Sequence, residues 1–311
     1  MTRYGDVMIS QELQRPPTAE SQPERGRAVY PDRHSPTPGG HRVRLMGVDL
    51  DVVTESGAVD RVVREAEAGR GGQVVTVNLD ILRRCVKDPA FREKVDRAEL
   101  VVADGMPLVW ACRVQGTPLP ERVAGSSMVS SLGKRLGERG LSLFLLGGEP
   151  GAAEGAAAKL REDTPGLRVV GTHCPPMGFE EDTAKWEAVK RAVMEADGGR
   201  GPDVIYVALG CPKQERVIER LRRELPEELT RRAWWLGVGI SLGFLSGQVR
   251  RAPGWMQKCG LEWAHRLMQE PKRLVRRYFV DGPPFALRLF GSAMCRAMKG
   301  GRGSSGGPRG E

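Results

Sequence analysis

Asp104 follows the apolar run Leu100 to Ala103 and precedes a glycine. A carboxylate so placed can take a proton from a hydroxyl nucleophile, and Gly105 lets the chain turn sharply and leaves room for a ligand. The same residue would also serve as N-cap for a helix starting at Met106. Thr76 and Asn78 flank Val77, so both side chains leave an extended segment on one side. They could bind a sugar or phosphate there, or cap the helix that follows. Pro212-Lys213-Gln214-Glu215 opens a helix whose free N–H groups and dipole favour a diphosphate, with plain capping as the equal alternative.

Other familiar constellations are missing or weak. Gly147-Gly148-Glu149-Pro150-Gly151 opens a helix after a strand but is not GxGxxG, and a tight turn accounts for it. Asp49-Leu50-Asp51 has the DxD form of metal-dependent glycosyltransferases. It lies in an opening strand or hairpin, where short polar residues serve turns, so no metal is expected. His41, His173 and His265 have no partners at ligand spacing, and no Ser/His/Asp or Cys/His set suggests a hydrolase. The six cysteines are scattered without a CxxC pair, which gives neither a zinc site nor a disulfide framework and suits a reducing compartment.

The elements that must position these groups alternate along the chain. Apolar runs at 73–77, 100–103, 141–146, 167–171, 203–209 and 233–238 read as strands. Helix-period segments at 79–86, 106–114, 152–162, 183–196 and 214–224 lie between them. That alternation predicts an α/β fold, a Rossmann-like sandwich with a largely parallel sheet. In such sheets ligands bind beyond the carboxyl ends of the strands, and the three polar clusters all fall at such ends.

The C-terminal part differs. From residue 245 onward thirteen Lys/Arg face four Asp/Glu, a balance of +9 equal to the net charge of the whole chain. This asymmetry points to an anionic partner. Trp255, Trp263, Leu267, Met268 and Phe279 share the same segment with the arginines, a mixture suited to a helix lying in a membrane interface. Pro271 should divide it into two helices with a joint. No stretch approaches the roughly 20 apolar residues of a membrane span. The expected organisation is a disordered leader over 1–41, a Rossmann-like domain over 42–245, a basic amphipathic membrane-binding appendage over 246–290, and a disordered tail over 291–311.

Several of these segments together resemble the TagA/WecG/CpsF glycosyltransferases. They are Thr76-Val77-Asn78, Ala103-Asp104-Gly105-Met106-Pro107, Glu121-Arg122-Val123-Ala124-Gly125, and Ala208-Leu209-Gly210-Cys211-Pro212-Lys213-Gln214-Glu215. Leu145-Leu146-Gly147-Gly148, Arg251-Ala252-Pro253, Gly260-Leu261-Glu262-Trp263 and Gln269-Glu270-Pro271-Lys272-Arg273 complete the match. The resemblance implies an inverting transferase that needs neither metal nor cofactor. It implies a UDP-sugar donor, commonly UDP-N-acetylmannosamine or its uronic acid, and a polyprenyl-diphosphate-linked sugar as acceptor. The product would enter teichoic acid or another cell-surface polysaccharide. By the same resemblance Asp104 is the base, and Thr76, Asn78, Arg122 and Gln214 are substrate-site residues. Arg266, Arg273 and Arg276 match arginines of an appendage that closes over the site and binds the lipid diphosphate. The expected location is cytoplasmic, peripheral at the inner face of the membrane, and homo-oligomers are implied as well.

Two positions depart from the family pattern: Ser127 and Gly243 stand where the family commonly has Asp. They keep open a second reading, a catalytically weakened paralogue that binds nucleotide-sugar or the membrane surface. A Rossmann dehydrogenase is disfavoured, because the glycine fingerprint and its ribose-binding acid are absent. A nucleic-acid module is disfavoured too, because aromatic and aliphatic residues occupy the basic helices, and no nucleic-acid partner is expected.

Overall fold

The structure is a computed structural model describing residues 41–258 and 261–302. The expected leader, but for residue 41, and residues 303–311 lie outside the described residues. The chain opens with the antiparallel hairpin β1 (Arg42–Leu45) and β2 (Val48–Asp51), then α1 (Glu55–Glu67). Next come β3 (Gly72–Val77), α2 (Leu79–Lys87), α3 (Pro89–Asp96), β4 (Leu100–Ala103), α4 (Met106–Val114) and α5 (Gly125–Glu138). The second half holds β5 (Ser142–Gly147), α6 (Ala152–Asp163), β6 (Arg168–His173), α7 (Thr183–Glu195), β7 (Val204–Ala208), α8 (Lys213–Glu224), α9 (Glu227–Arg232) and β8 (Trp234–Gly237). The chain ends in α10 (Ser241–Leu245), α11 (Gly254–Lys258), α12 (Glu262–Gln269), α13 (Pro271–Val275), a π-helical segment Arg276–Asp281, and α14 (Gly282–Arg302).

Six strands form one parallel sheet in the order β4-β3-β8-β7-β5-β6, as the alternating pattern predicts. Its strands are apolar on both sides because helices cover both faces. Period-2 alternation divides their residues cleanly. Val74, Leu100, Leu143, Tyr206 and Leu236 face one continuous core roofed by α1, α5, α6 and α10. Their neighbours face the other side, where the core is split in two. Val75, Val77, Val101 and Ala103 pack with α2, α3, α4, the hairpin and α14. Phe144, Leu146, Ile205, Val207 and Trp235 pack with α7, α8 and α9. The seam is clasped by charge: Lys94 and Arg97 both reach Glu219, and Arg222 lies 3.0 Å from Glu99.

The C-terminal segment divides at Pro271, which begins α13 in the first turn, where its missing N–H costs nothing. Past that joint the structure differs from the expected disordered tail. Helix α14 runs through residue 291 as far as Arg302, and Phe285, Leu289 and Ala293 are buried in the β3–β4 half of the core. Packing of that face outweighs the weak intrinsic helix propensity of Gly291, Gly300 and Gly301. No helix among the described residues is long and apolar enough to cross a membrane.

Candidate active site

The register of the sheet sets the polar clusters side by side. Val77 pairs with Ala103, so Asn78 and Asp104 leave adjacent strands at the same level. Val74 pairs with Leu236 and Val207 with Gly237, which brings the ends of β8 and β7 alongside. Beyond those ends the chain bends into α2, α4, α8 and α10.

Asp104 does not cap α4. Gly105 holds that position without a side-chain hydrogen bond, and the Asp104 carboxylate instead accepts from the Gly125 amide at 3.3 Å. It thereby serves the N-terminus of α5, which has no capping side chain of its own. The side chain is partly buried, and burial pushes its carboxyl up to about 6. Arg122, the Gly125 amide and Arg251 pull the other way, while the Glu262 carboxylate adds to the rise. A carboxyl near 6 is a usable proton acceptor at neutral pH.

The other expected residues are placed as follows. Thr76 is buried at the end of β3, directly beneath Gly125, where an added Cβ would lie 3.1 Å from its hydroxyl oxygen. Asn78 caps α2, its side-chain oxygen accepting from the Asp80 and Ile81 amides at 3.1 Å each. That leaves the amide nitrogen of Asn78 as the half able to meet a ligand. Both ends of the Gln214 amide are engaged: the oxygen accepts from Gly239 N at 3.1 Å, and the nitrogen donates to Glu215 at 2.9 Å. Gln214 thus ties α8 to the turn after β8, and an added Cβ on Gly237 would lie 2.6 Å from its amide nitrogen. Burial pushes the Glu215 carboxyl up, and its second oxygen has no hydrogen-bond partner.

Arg122 is one corner of a three-residue ion-pair cluster that spacing alone does not reveal. Its Nη1 lies 3.5 Å from Glu262 on α12, and Glu262 lies 3.6 Å from Arg251. Arg251 also donates to the hydroxyls of Ser126 at 3.0 Å and Ser127 at 2.9 Å. Ser127, one of the two departures from the family pattern, is therefore held by an arginine. Gly243, the other, is buried beneath Val249, whose methyl would lie 3.2 Å from an added Cβ.

Arg266 sits one helical turn from Glu262 and pairs with Glu270 at 3.5 Å, its Nε buried without a hydrogen-bond partner. Arg276 is exposed on the π-helical segment. Arg273 lies on α13, and its side chain falls outside the described atoms.

Two motifs resolve to structural roles. Asp49 binds Arg44 through both oxygens at 2.7 and 2.6 Å, and that hydrogen-bonded guanidinium holds its carboxyl below the usual range. Asp51 is buried, paired with Arg42 and Arg61, and accepts from Val101 N at 2.8 Å, which locks the hairpin to β4. In the Gly147-Gly148 turn both glycines adopt φ of +91°, and an added Cβ on Gly147 would meet the Ala208 carbonyl at 2.8 Å. That turn exists to let β5 and β7 approach.

The Glycosyl transferase WecG/TagA/CpsF family model matches residues 43–299. The chain is 28% identical over 219 residues to an N-acetylglucosaminyldiphosphoundecaprenol N-acetyl-beta-D-mannosaminyltransferase of Bacillus subtilis (strain 168), covering 70% of this chain and 79% of that one. A protein of the same name from Bacillus spizizenii is 27% identical over 207 residues, 67% of this chain and 75% of its own. With the family match spanning the parallel sheet, the Asp104 site and most of α14, this chain belongs to the WecG/TagA/CpsF family of glycosyltransferases.

Proposed function

We propose that the protein moves N-acetylmannosamine, or its uronic acid, from a UDP-sugar to a sugar carried on a polyprenyl diphosphate, with inversion at the anomeric carbon. Asp104 takes the proton from the acceptor hydroxyl as that oxygen attacks the anomeric carbon, and UDP departs. The observation that carries this reading is the setting of Asp104 at the carboxyl end of β4, its carboxyl raised to about 6 and flanked by Arg122 and the N-terminus of α5. Cations and helix amides around a diphosphate stabilise the charge that develops on the leaving group. The names of the two Bacillus relatives fit N-acetylmannosamine as the sugar and this class of acceptor.

The basic C-terminal segment supplies contact with the membrane that holds the acceptor. Trp255, Met268, Phe279, Val280 and Leu287 are exposed there among arginines and lysines, a surface suited to anionic lipid headgroups. UDP release from a panel of UDP-sugars, with and without a polyprenyl-diphosphate-GlcNAc analogue, tests the reading. Acceptor-dependent release with one donor is expected. Release independent of acceptor, or silence from folded protein across the panel, would overturn it.

A further inference from the structure

Arg122, from the loop before α5, and Arg251, from the segment after α10, converge on one carboxylate, that of Glu262. The fit is loose. Separations of 3.5 and 3.6 Å are ion pairs but not hydrogen bonds. Arg251 Nε is buried and has no hydrogen-bond partner. Guanidinium groups shaped for a carboxylate of the protein usually meet it closely, often through two parallel bonds. Here two forks share a single carboxylate and one buried donor stays unsatisfied.

The rest of the setting also favours a larger anion. Arg251 is fixed in place by donating to the Ser126 and Ser127 hydroxyls. A hydroxyl that accepts still carries its own proton to donate. Both serines lie in the first turn of α5, a fourteen-residue helix whose N-cap residue, Ala124, offers no capping side chain and whose dipole favours negative charge there. Asp104 takes the Gly125 amide at the edge of the same turn. Two guanidinium groups and two hydroxyls outnumber what the one Glu262 carboxylate can satisfy, and Asp104 accepts only the first amide of the helix.

We propose that Arg122, Arg251 and the hydroxyls of Ser126 and Ser127 form a diphosphate cradle beside Asp104, and that Glu262 is its internal occupant, displaced when a diphosphate binds. The source of the diphosphate, nucleotide donor or lipid-linked acceptor, rests on the transferase reading; the cradle itself does not. Displacing Glu262 frees the first turn of α12, so occupancy of the cradle is coupled to the position of the C-terminal segment. Trp263, next in sequence and packed against Tyr278 with ring centroids 5.5 Å apart, moves with it.

Calorimetric titration of the full chain with inorganic pyrophosphate at low salt tests this. Glu262→Gln keeps the shape of the side chain and removes its charge, and should bind about tenfold tighter than the parent. Arg251→Gln should bind about tenfold weaker, and the double variant should lose the gain. Glu262→Gln binding no tighter, or weaker, would make the cluster a structural latch and overturn the proposal. In the unmodified chain pyrophosphate should change the fluorescence lost in Trp263→Phe, and a titration with no such change would also overturn it. Repeating the comparison with UDP and with farnesyl diphosphate identifies the source: tightening for UDP assigns the donor, tightening for farnesyl diphosphate assigns the acceptor, and tightening for neither refutes the cradle. Sugar transfer is scored separately. Absence of transfer beside a tightened Glu262→Gln would sink the transferase reading alone, and intact transfer without tightening would sink the cradle alone.

Discussion

Asp104 carries two separable consequences of being a carboxylate partly withdrawn from water. The first is catalytic. Asp104→Asn keeps an acceptor for the Gly125 amide but cannot take a proton, so transfer should fall by about 10²–10⁴-fold while calorimetry finds UDP binding unchanged. Transfer by the parent should fall as pH drops through about 6, the value at which this carboxyl becomes protonated. The second is energetic. The folded-state value lies above the ordinary 3.8, so the fold disfavours the charged form. Its cost is absent below pH about 4, grows as pH rises, and is complete above about 6. Asp104→Asn should therefore be more stable than the parent at pH 8, by up to about 3 kcal/mol at 1.36 kcal/mol per pH unit and less for a side chain keeping some contact with water. Urea melts at pH 8 and pH 4 check this, and a difference that persists at pH 4 would contradict it. Asp104 is legible in the sequence because a carboxylate between an apolar run and a glycine is conspicuous. The pairing of Arg251 with Glu262 is not, though both residues stand in segments that carry the resemblance, since it is a contact between distant segments and neither stands at a strand end.

At the scale of elements, the strands and the helices behind them are legible because burial imposes unbroken apolar runs. Helix α5 is harder to see. Gly125, Ser126, Ser127, Gly133 and Gly137 give it poor propensity, yet Met128, Val129, Leu132 and Leu136 are buried on one face. An added Cβ at Gly137 would lie 2.6 Å from the Thr164 methyl, so the glycine that weakens the helix lets it lie close to the end of α6. Helix α14 hides in the same way behind Pro283, Pro284 and its glycines. Its two sides have different duties: Leu289 is 0% exposed, whereas Leu287 is 77% exposed. Leu289→Ala should cost about 2–5 kcal/mol in urea unfolding. Leu287→Ala should change stability by no more than about 0.5 kcal/mol and instead reduce sedimentation with anionic vesicles. Equal effects of the two variants on stability would refute the assignment of faces.

For the whole molecule the telling quantity is where the charge lies. A balance of +9 gathered after residue 245 makes one end of the protein a cation and leaves the rest near neutrality. Binding to vesicles rich in phosphatidylglycerol should weaken steeply as salt shortens the Debye length from about 10 Å at 0.1 M to about 3 Å at 1 M. Binding to neutral vesicles should be weak and nearly independent of salt. Strong salt-independent binding to both would mean that apolar insertion, not charge, carries the attachment. Burial of Phe285, Leu289 and Ala293 beneath the strands that present Asn78 and Asp104 also sets a schedule for synthesis. A ribosome making this chain completes the continuous core and the β5–β8 half while the last helix is still unmade. The half bearing Asp104 stays open until α14 emerges, so on the proposed reading a nascent chain would complete its transfer site only together with the segment proposed to meet the lipid.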